Sequence, residues 1–438
     1  MNRESKTNFN LLLSASGFSN LADGIAGFAY PWLFSLITRD PQLISLIVVC
    51  STLPHLMFVL FAGVIADKYN RQSILVFTRV VQIILTVIYV VIIYINLEFI
   101  PKSVQIIEPE FKSKFLIITI SYILALIFGV LEVTRDNAAQ SFLPQIVEKE
   151  NLQKANGRLF GIELITNNFL GAPIAGFLIG ISLITPFIAD TLLLVFSSFF
   201  IFKIKGNFKR ENNSNSGQKT IPMIKDGINW LKSQSLLKRL AIYTGLANFL
   251  GAMQYPIMVL FAQEILNLNS VQYGFLAYGA AIGGVLGSYF AEKINNILKE
   301  SKTLLIGMML FSLGMFLPYT TKNAILVASA FALTSFGSII WNVQAVSIRQ
   351  SIIPDNLLGR VNSVYRLLAL GLTPIGALVG GTLVKLTELN MDREFALRLP
   401  FLIAGICMLF VFLTAFKLLS QNLIDNTKNN TLNQISKD

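Results

Sequence analysis

The chain has 438 residues, of which 54% are hydrophobic and only 13% charged, with 34 phenylalanines and a formal charge of +11. A soluble domain carries about 25% charged residues, so a soluble globular protein is excluded, and the basic excess lies in loops and tails with no basic domain to make a nucleic-acid footprint. Cys50 and Cys407 stand far apart in apolar stretches, which excludes a disulfide framework and a thiolate metal site.

A bilayer core about 30 Å thick takes roughly 20 mainly apolar residues per helical crossing. Such stretches recur at 11–36, 43–65, 74–97, 115–136, 156–181, 183–203, 237–263, 271–292, 303–320, 324–347, 362–386 and 399–419. Their lengths fit helices rather than barrel strands. The expected fold class is all-α integral membrane, with twelve transmembrane helices. The first stretch follows a polar decapeptide, exceeds a signal-peptide core and carries Asp23 at its middle, so it reads as a retained span entered from the cytoplasm. Lysine and arginine agree with this topology: with the adjoining helix ends included, 25 of 35 fall in the two tails and the loops after even-numbered spans and eight on the opposite side, leaving Arg79 and Arg135 inside spans. Positive loops stay inside, so both termini are expected in the cytoplasm, at a plasma (inner) membrane.

Charged side chains within spans face a cavity or a partner. Asp23 is the proton-coupling candidate, and Tyr30 near the end of the same span is a substrate-cavity candidate with a stacking or cation-attracting ring. His55, the only histidine, lies in the second span, where it either titrates near neutral pH or hydrogen-bonds a neighbour. The loop that follows holds Gly63, Ala66, Asp67, Lys68, Asn70, Arg71, Gln72 and Leu75. A carboxylate and a cation on a tight loop can pair, cap a helix and lock its neighbours in one state. This loop resembles the signature loop of the major facilitator superfamily, with Gly63, Ala66, Asp67, Arg71 and Leu75 in register. Asn70 stands where that family has glycine, and tolerates the left-handed turn; Gln72 stands where it has a second basic residue. The resemblance implies a cytoplasmic gate built on Gly63, Asp67 and Arg71.

Glu132, Arg135 and Asp136 close the fourth span near its cytoplasmic end, where Glu132 and Arg135 are three apart on one helix face. They are expected to belong to the same gate. Gln140 to Val147 followed by Leu152 to Asn156 is similar to the corresponding loop of the macrolide-efflux and enterobactin-exporter branch of that superfamily, which implies export. In the fifth span, Glu163 and Asn167 are cavity candidates, and Gly171, Ala172, Pro173 and Gly176 resemble the antiporter motif of exporters. Pro173 and Gly176 would make its kink. Asp190 in the sixth span is a further polar residue that could line a cavity, and Asn248, Gln254 and Asn342 are cavity candidates in the second half.

An internal repeat gives the architecture. Sliding the chain by 225 residues aligns Leu21, Ala22 and Asp23 with Leu246, Ala247 and Asn248, and Tyr30-Pro31 with Tyr255-Pro256. It also aligns Ala66, Asp67 and Lys68 with Ala291, Glu292 and Lys293; further on, Asn156 and Pro173 pair with Asn362 and Pro374 at an offset near 200. Two pseudo-symmetric six-helix bundles are therefore expected, at 1–205 and 236–420, joined by a polar cytoplasmic linker at 206–235 and followed by an Asn-rich, disordered tail at 421–438.

No phosphate-binding loop, zinc-protease motif or nucleophile elbow is present, so neither an ATP-driven pump nor an enzyme is expected. No cofactor or metal is expected either. The reading is a monomeric secondary transporter in contact with membrane lipid, using protons to export an amphipathic small molecule such as a drug, macrolide or siderophore by alternating access. The alternatives on the same fold are a uniporter or importer of a nutrient, metal chelate, metal ion or lipid-like substrate, and, last, a non-transporting receptor.

Overall fold

The computed structural model describes residues 3–58, 61, 62, 65, 68–101, 104, 108–206, 208, 228–354 and 357–435, and within these every regular element is helical. In chain order they are α1 (Arg3–Ile37), α2 (Pro41–Met57), α3 (Arg71–Ile95), α4 (Lys114–Ile146), α5 (Leu152–Ile181), α6 (Thr185–Phe202) and α7 (Ser235–Glu264). Then come α8 (Ser270–Thr320), α9 (Ala324–Ile352), α10 (Leu358–Leu370), α11 (Thr373–Thr387), α12 (Arg393–Leu418) and α13 (Gln421–Ile435). Helix starts follow local chemistry. The side chains of Asp40, Asn70, Asn323 and Asp392 accept hydrogen bonds from the first free backbone N–H groups of α2, α3, α9 and α12.

Among the described residues nine helical stretches are long and apolar enough to cross a membrane. Outside those nine lie α1 and the shorter apolar α2, and α8 breaks at Lys299 where φ is +63°. α3 shows why these helices need lipid. Phe77, Ile84 and Val91, seven residues apart on one face, are exposed, while Arg79, Thr86 and Tyr89 are buried. That is the reverse of a soluble helix, as expected where hydrocarbon is the solvent.

The chain divides into two compact units: Met1–Asn213 with Val259–Ala277, and Ser214–Met258 with Tyr278–Asp438. The end of α7 and the start of α8 thus pack with the N-terminal unit, a division that differs from one at 205 and 236. In the N-terminal unit α1 runs along α6 and α5, α2 packs on α4, and α3 packs on both α4 and α6. In the C-terminal unit α7 packs on α11, α12 and α10.

One helix crossing occurs in both units. A Cβ on Gly24 of α1 would lie 2.7 Å from Asn167 O and 3.0 Å from Gly171 Cα on α5. A Cβ on Gly376 of α11 would lie 2.1 Å from Phe249 O on α7, and Phe249 is the 225-residue repeat partner of Gly24. Close backbone approach through small residues is how membrane helices gain packing without a hydrophobic drive.

One expectation changes. The tail over Gln421–Ile435 is helical rather than disordered. It packs on α9, Gln421 accepts a hydrogen bond from Ser301 N at 3.0 Å, Lys428 pairs with Glu300, and Ile424 is fully buried. The linker at 209–227, together with the gate residues Gly63 and Asp67, lies outside the described residues.

Candidate functional site

The site grows from a polar stripe on α3. Arg79, Gln82, Thr86 and Tyr89 follow at intervals of three or four residues and so share one helix face. This face meets α1 and α4 inside the N-terminal unit. Arg79 is only 2% exposed, and its two terminal nitrogens lie 3.3 Å from the two carboxylate oxygens of Asp23. The same guanidinium donates to Gln82 Oε1 at 2.6 Å and to Ser19 Oγ. From α4, Arg135 Nη1 donates to Asp23 Oδ2 at 3.0 Å and Arg135 Nη2 to Asp136 Oδ1 at 3.0 Å. Glu132 stands farther off, 3.9 Å from Arg135.

Asp23 therefore sits between two guanidiniums rather than alone in a cavity. A buried ion costs several kcal/mol unless paired and hydrogen-bonded, and this arrangement supplies the pairing on three helices. Glu163, exposed on α5, faces the same group. Removal of either arginine would leave Asp23 with one guanidinium instead of two.

The sequence candidates fare differently. Asp23, Glu132, Arg135 and Asp136 come together as one cluster. Tyr30 packs among Tyr89, Phe128 and Phe187, with its hydroxyl buried. Asn167 presents its backbone to Gly24. Arg71, buried at the first turn of α3, accompanies Gln72, whose side-chain amide donates to Ile201 O at 2.8 Å and Ile204 O at 2.7 Å. Gln72 thus caps the free carbonyls at the end of α6, a neutral substitute for a basic residue there.

The α5 motif follows a wider helical segment. Residues Leu164–Gly171 form a π-helical segment that ends where Pro173, lacking an N–H, begins the next regular turn. Gly176 then meets Ser270 of α8, where a Cβ would stand 2.4 Å from the Ser270 carbonyl oxygen.

The C-terminal candidates do not meet as a charged group. Asn248 donates to Ala369 O at 2.7 Å, Gln254 to Met315 O at 3.1 Å just before the turn at Tyr255–Ile257, and Asn342 is exposed. A neutral network lies nearby: Trp341 Nε1 donates to Thr244 Oγ1 at 3.0 Å, and Thr244 and Tyr365 hydroxyls are 2.9 Å apart.

Arg79 was missing from the candidate gate, although a cation within a span always calls for a partner. His55 is the other surprise. Its ring and the carboxylates of Glu132 and Asp136 bring one ligand atom each within 4.8 Å of one another, the only such group among the described residues. Nothing in their spacing along the chain signals this. A His and two carboxylates suit a first-row divalent ion, although Arg135 already donates two hydrogen bonds to Asp136 Oδ1.

Apolar outer faces around an interior of paired charges mark a multi-pass membrane protein. A family model described as Major Facilitator Superfamily matches residues 12–367 and 240–435, and the chain belongs to that superfamily. The chain is 23% identical over 414 residues to the multidrug efflux pump Tap of Mycolicibacterium fortuitum, covering 92% of this chain and 95% of Tap. It is 22% identical over 412 residues to the enterobactin exporter EntS of Escherichia coli, covering 92% and 91%. The fold is shared with a solved variant of the nucleoside transporter NupG, with a TM-score of 0.70 at 13% identity over 93% of this chain and all (100%) of the other.

Proposed function

We propose that the chain exports an amphipathic small molecule, a drug, macrolide or siderophore, by proton-coupled alternating access. Its place would be a bacterial plasma (inner) membrane, as a monomer with both termini cytoplasmic. The observation that supports this most is the Asp23, Arg79 and Arg135 cluster, which concentrates titratable and cationic groups inside one unit. A transporter coupled to protons needs a group whose charge changes and a partner that responds; here two arginines would respond to the charge around Asp23. Glu132 and Asp136, with Arg71 and Asp67 of the signature loop, would form the gate beside it. The relatives Tap and EntS, named for efflux and export, support the direction.

The test is binding followed by flux. Purified protein is heated with macrolides, siderophores with and without iron, lipophilic cations, and lysolipids, because a ligand that binds the folded state raises its melting temperature by mass action. The class that stabilises is then loaded into proteoliposomes and driven by an imposed pH gradient. Gradient-stimulated transport supports the reading; transport that ignores the gradient refutes proton coupling.

A second reading has one observation in its favour. The His55, Glu132 and Asp136 group supports a metal ion or chelate as cargo. Stabilisation by Mn²⁺, Fe²⁺ or Zn²⁺ that His55→Ala removes would favour it over the amphipathic class.

A further inference from the structure

Two helical turns along α1 from Asp23, about 10 Å at 1.5 Å per residue, a second polar group lies inside the N-terminal unit. It consists of Tyr30 on α1, Thr86 and Tyr89 on α3, and Asp190 on α6. Asp190 is 1% exposed. Its Oδ1, the Tyr30 hydroxyl and the Thr86 hydroxyl are all buried without a hydrogen-bond partner, and Asp190 enters no ion pair among the described residues. Aromatic rings enclose the group: Phe187, one turn before Asp190, lies 4.9 Å from Tyr30 and 6.0 Å from Tyr89 between centroids, and Tyr30 lies 5.6 Å from Tyr89. The Tyr89 hydroxyl is engaged elsewhere, 2.9 Å from Ser121 Oγ.

The groups facing Asp190 can be named helix by helix. α1 presents Tyr30 and, farther along, Asp23, and α3 presents Arg79, while Thr86 and Tyr89 of α3 lie beside Tyr30. The last part of α5, Ala172–Ile181, packs on α6 and carries no titratable residue. The nearest cation is thus Arg79, and Arg79 is already held by Asp23. An ionised carboxylate without a partner is disfavoured in such surroundings, whereas a neutral carboxyl can both donate and accept hydrogen bonds in a group of hydroxyls such as this one.

We propose that Asp190, and not Asp23, carries the coupling proton. The inference rests on the proton-coupled reading above and assigns the proton a seat within it. With a proton on one Asp190 oxygen, the acid is neutral and Arg79 stays on Asp23. When that proton leaves to water, the Asp190 carboxylate competes with Asp23 for Arg79, and the contact that ties α1 to α3 loosens. Protonation at one level of the bundle thereby controls an ion pair at the next.

The experiment is infrared spectroscopy of the full-length protein in lipid vesicles, following the C=O stretch of protonated carboxyl groups as pH is varied. Wild type and Asp23→Asn are expected to show a band at neutral pH that Asp190→Asn loses and Asp190→Glu restores at a shifted position. Asn matches a neutral Asp in shape, and should Asp190→Asn not fold, the shift in Asp190→Glu decides alone. A spectrum left unchanged by both Asp190 variants, or a band lost in Asp23→Asn instead, overturns the proposal. The pH-gradient flux of wild type separates the two levels of inference: with the band assigned to Asp190 but no gradient-driven transport, the proton-coupled reading fails while Asp190 remains a protonation site.

Discussion

The two units share a helix crossing and differ in what they bury beside it. In the N-terminal unit the repeat position on α1 is Asp23, tied to Arg79 and Arg135. In the C-terminal unit it is Asn248, whose amide satisfies a single backbone carbonyl on α10. α9 carries Arg349 alone among charged residues, and the arm of α8 from 303 to 320 carries none. Duplicated geometry with unduplicated charge teaches that packing and electrostatics are separable here: the Gly24 and Gly376 contacts belong to both units, and the Asp23, Arg79 and Arg135 ion pairs to one.

The comparison can be broken first at its charges. Arg79→Ala would leave Asp23, whose side chain is 24% exposed, with one guanidinium instead of two, a loss bounded by what breaking a fully buried pair costs, about 3–5 kcal/mol. A large drop in melting temperature together with lost transport is expected; a variant as stable as wild type would show that Arg79 is not an internal counter-charge. The packing that both units share comes next. Gly24→Ala and Gly376→Ala each drive a methyl into a carbonyl oxygen, an overpacking that costs about 1–3 kcal/mol. Losses of similar size in both units are expected from thermal unfolding, and a loss confined to one unit would contradict the shared crossing.

The neutral network of the C-terminal unit should matter less. Trp341→Phe removes one hydrogen bond to Thr244, and such interhelical bonds in membrane proteins average about 0.6 kcal/mol. A small destabilisation with unchanged gradient dependence is expected; altered gradient dependence would move coupling into the C-terminal unit. Least of all should follow from Lys428→Ala on the tail helix, whose partly exposed pair with Glu300 is worth at most about 1 kcal/mol. A change in transport from this variant would give α13 more than a packing role.

The spans, the repeat and the superfamily were legible because hydropathy and charged loops report directly on a bilayer. What is hidden has a physical reason in each case. Asp23, Arg79 and Arg135 are separated by 56 and 112 residues, and only the packing of α1, α3 and α4 brings them together. The π-helical segment Leu164–Gly171 leaves no compositional mark beyond Pro173 after it. The polar tail has too few apolar residues to hold a helix alone, but docking of Ile424 and Gln421 against α8 and α9 supplies what its own sequence lacks. Gln72 looked like a defect in the signature loop until its amide was seen on the last carbonyls of α6.

The central claim is that coupling resides in the charged interior of the N-terminal unit. It is tested most directly by pH-gradient-driven transport in proteoliposomes for Asp23→Asn beside its repeat counterpart Asn248→Ala, with the ligand that stabilises wild type as cargo. Asp23→Asn should abolish the gradient's effect, because Arg79 and Arg135 lose the carboxylate that holds them, while Asn248→Ala should keep it. Full gradient-driven transport in Asp23→Asn, or its loss in Asn248→Ala alone, would contradict the account.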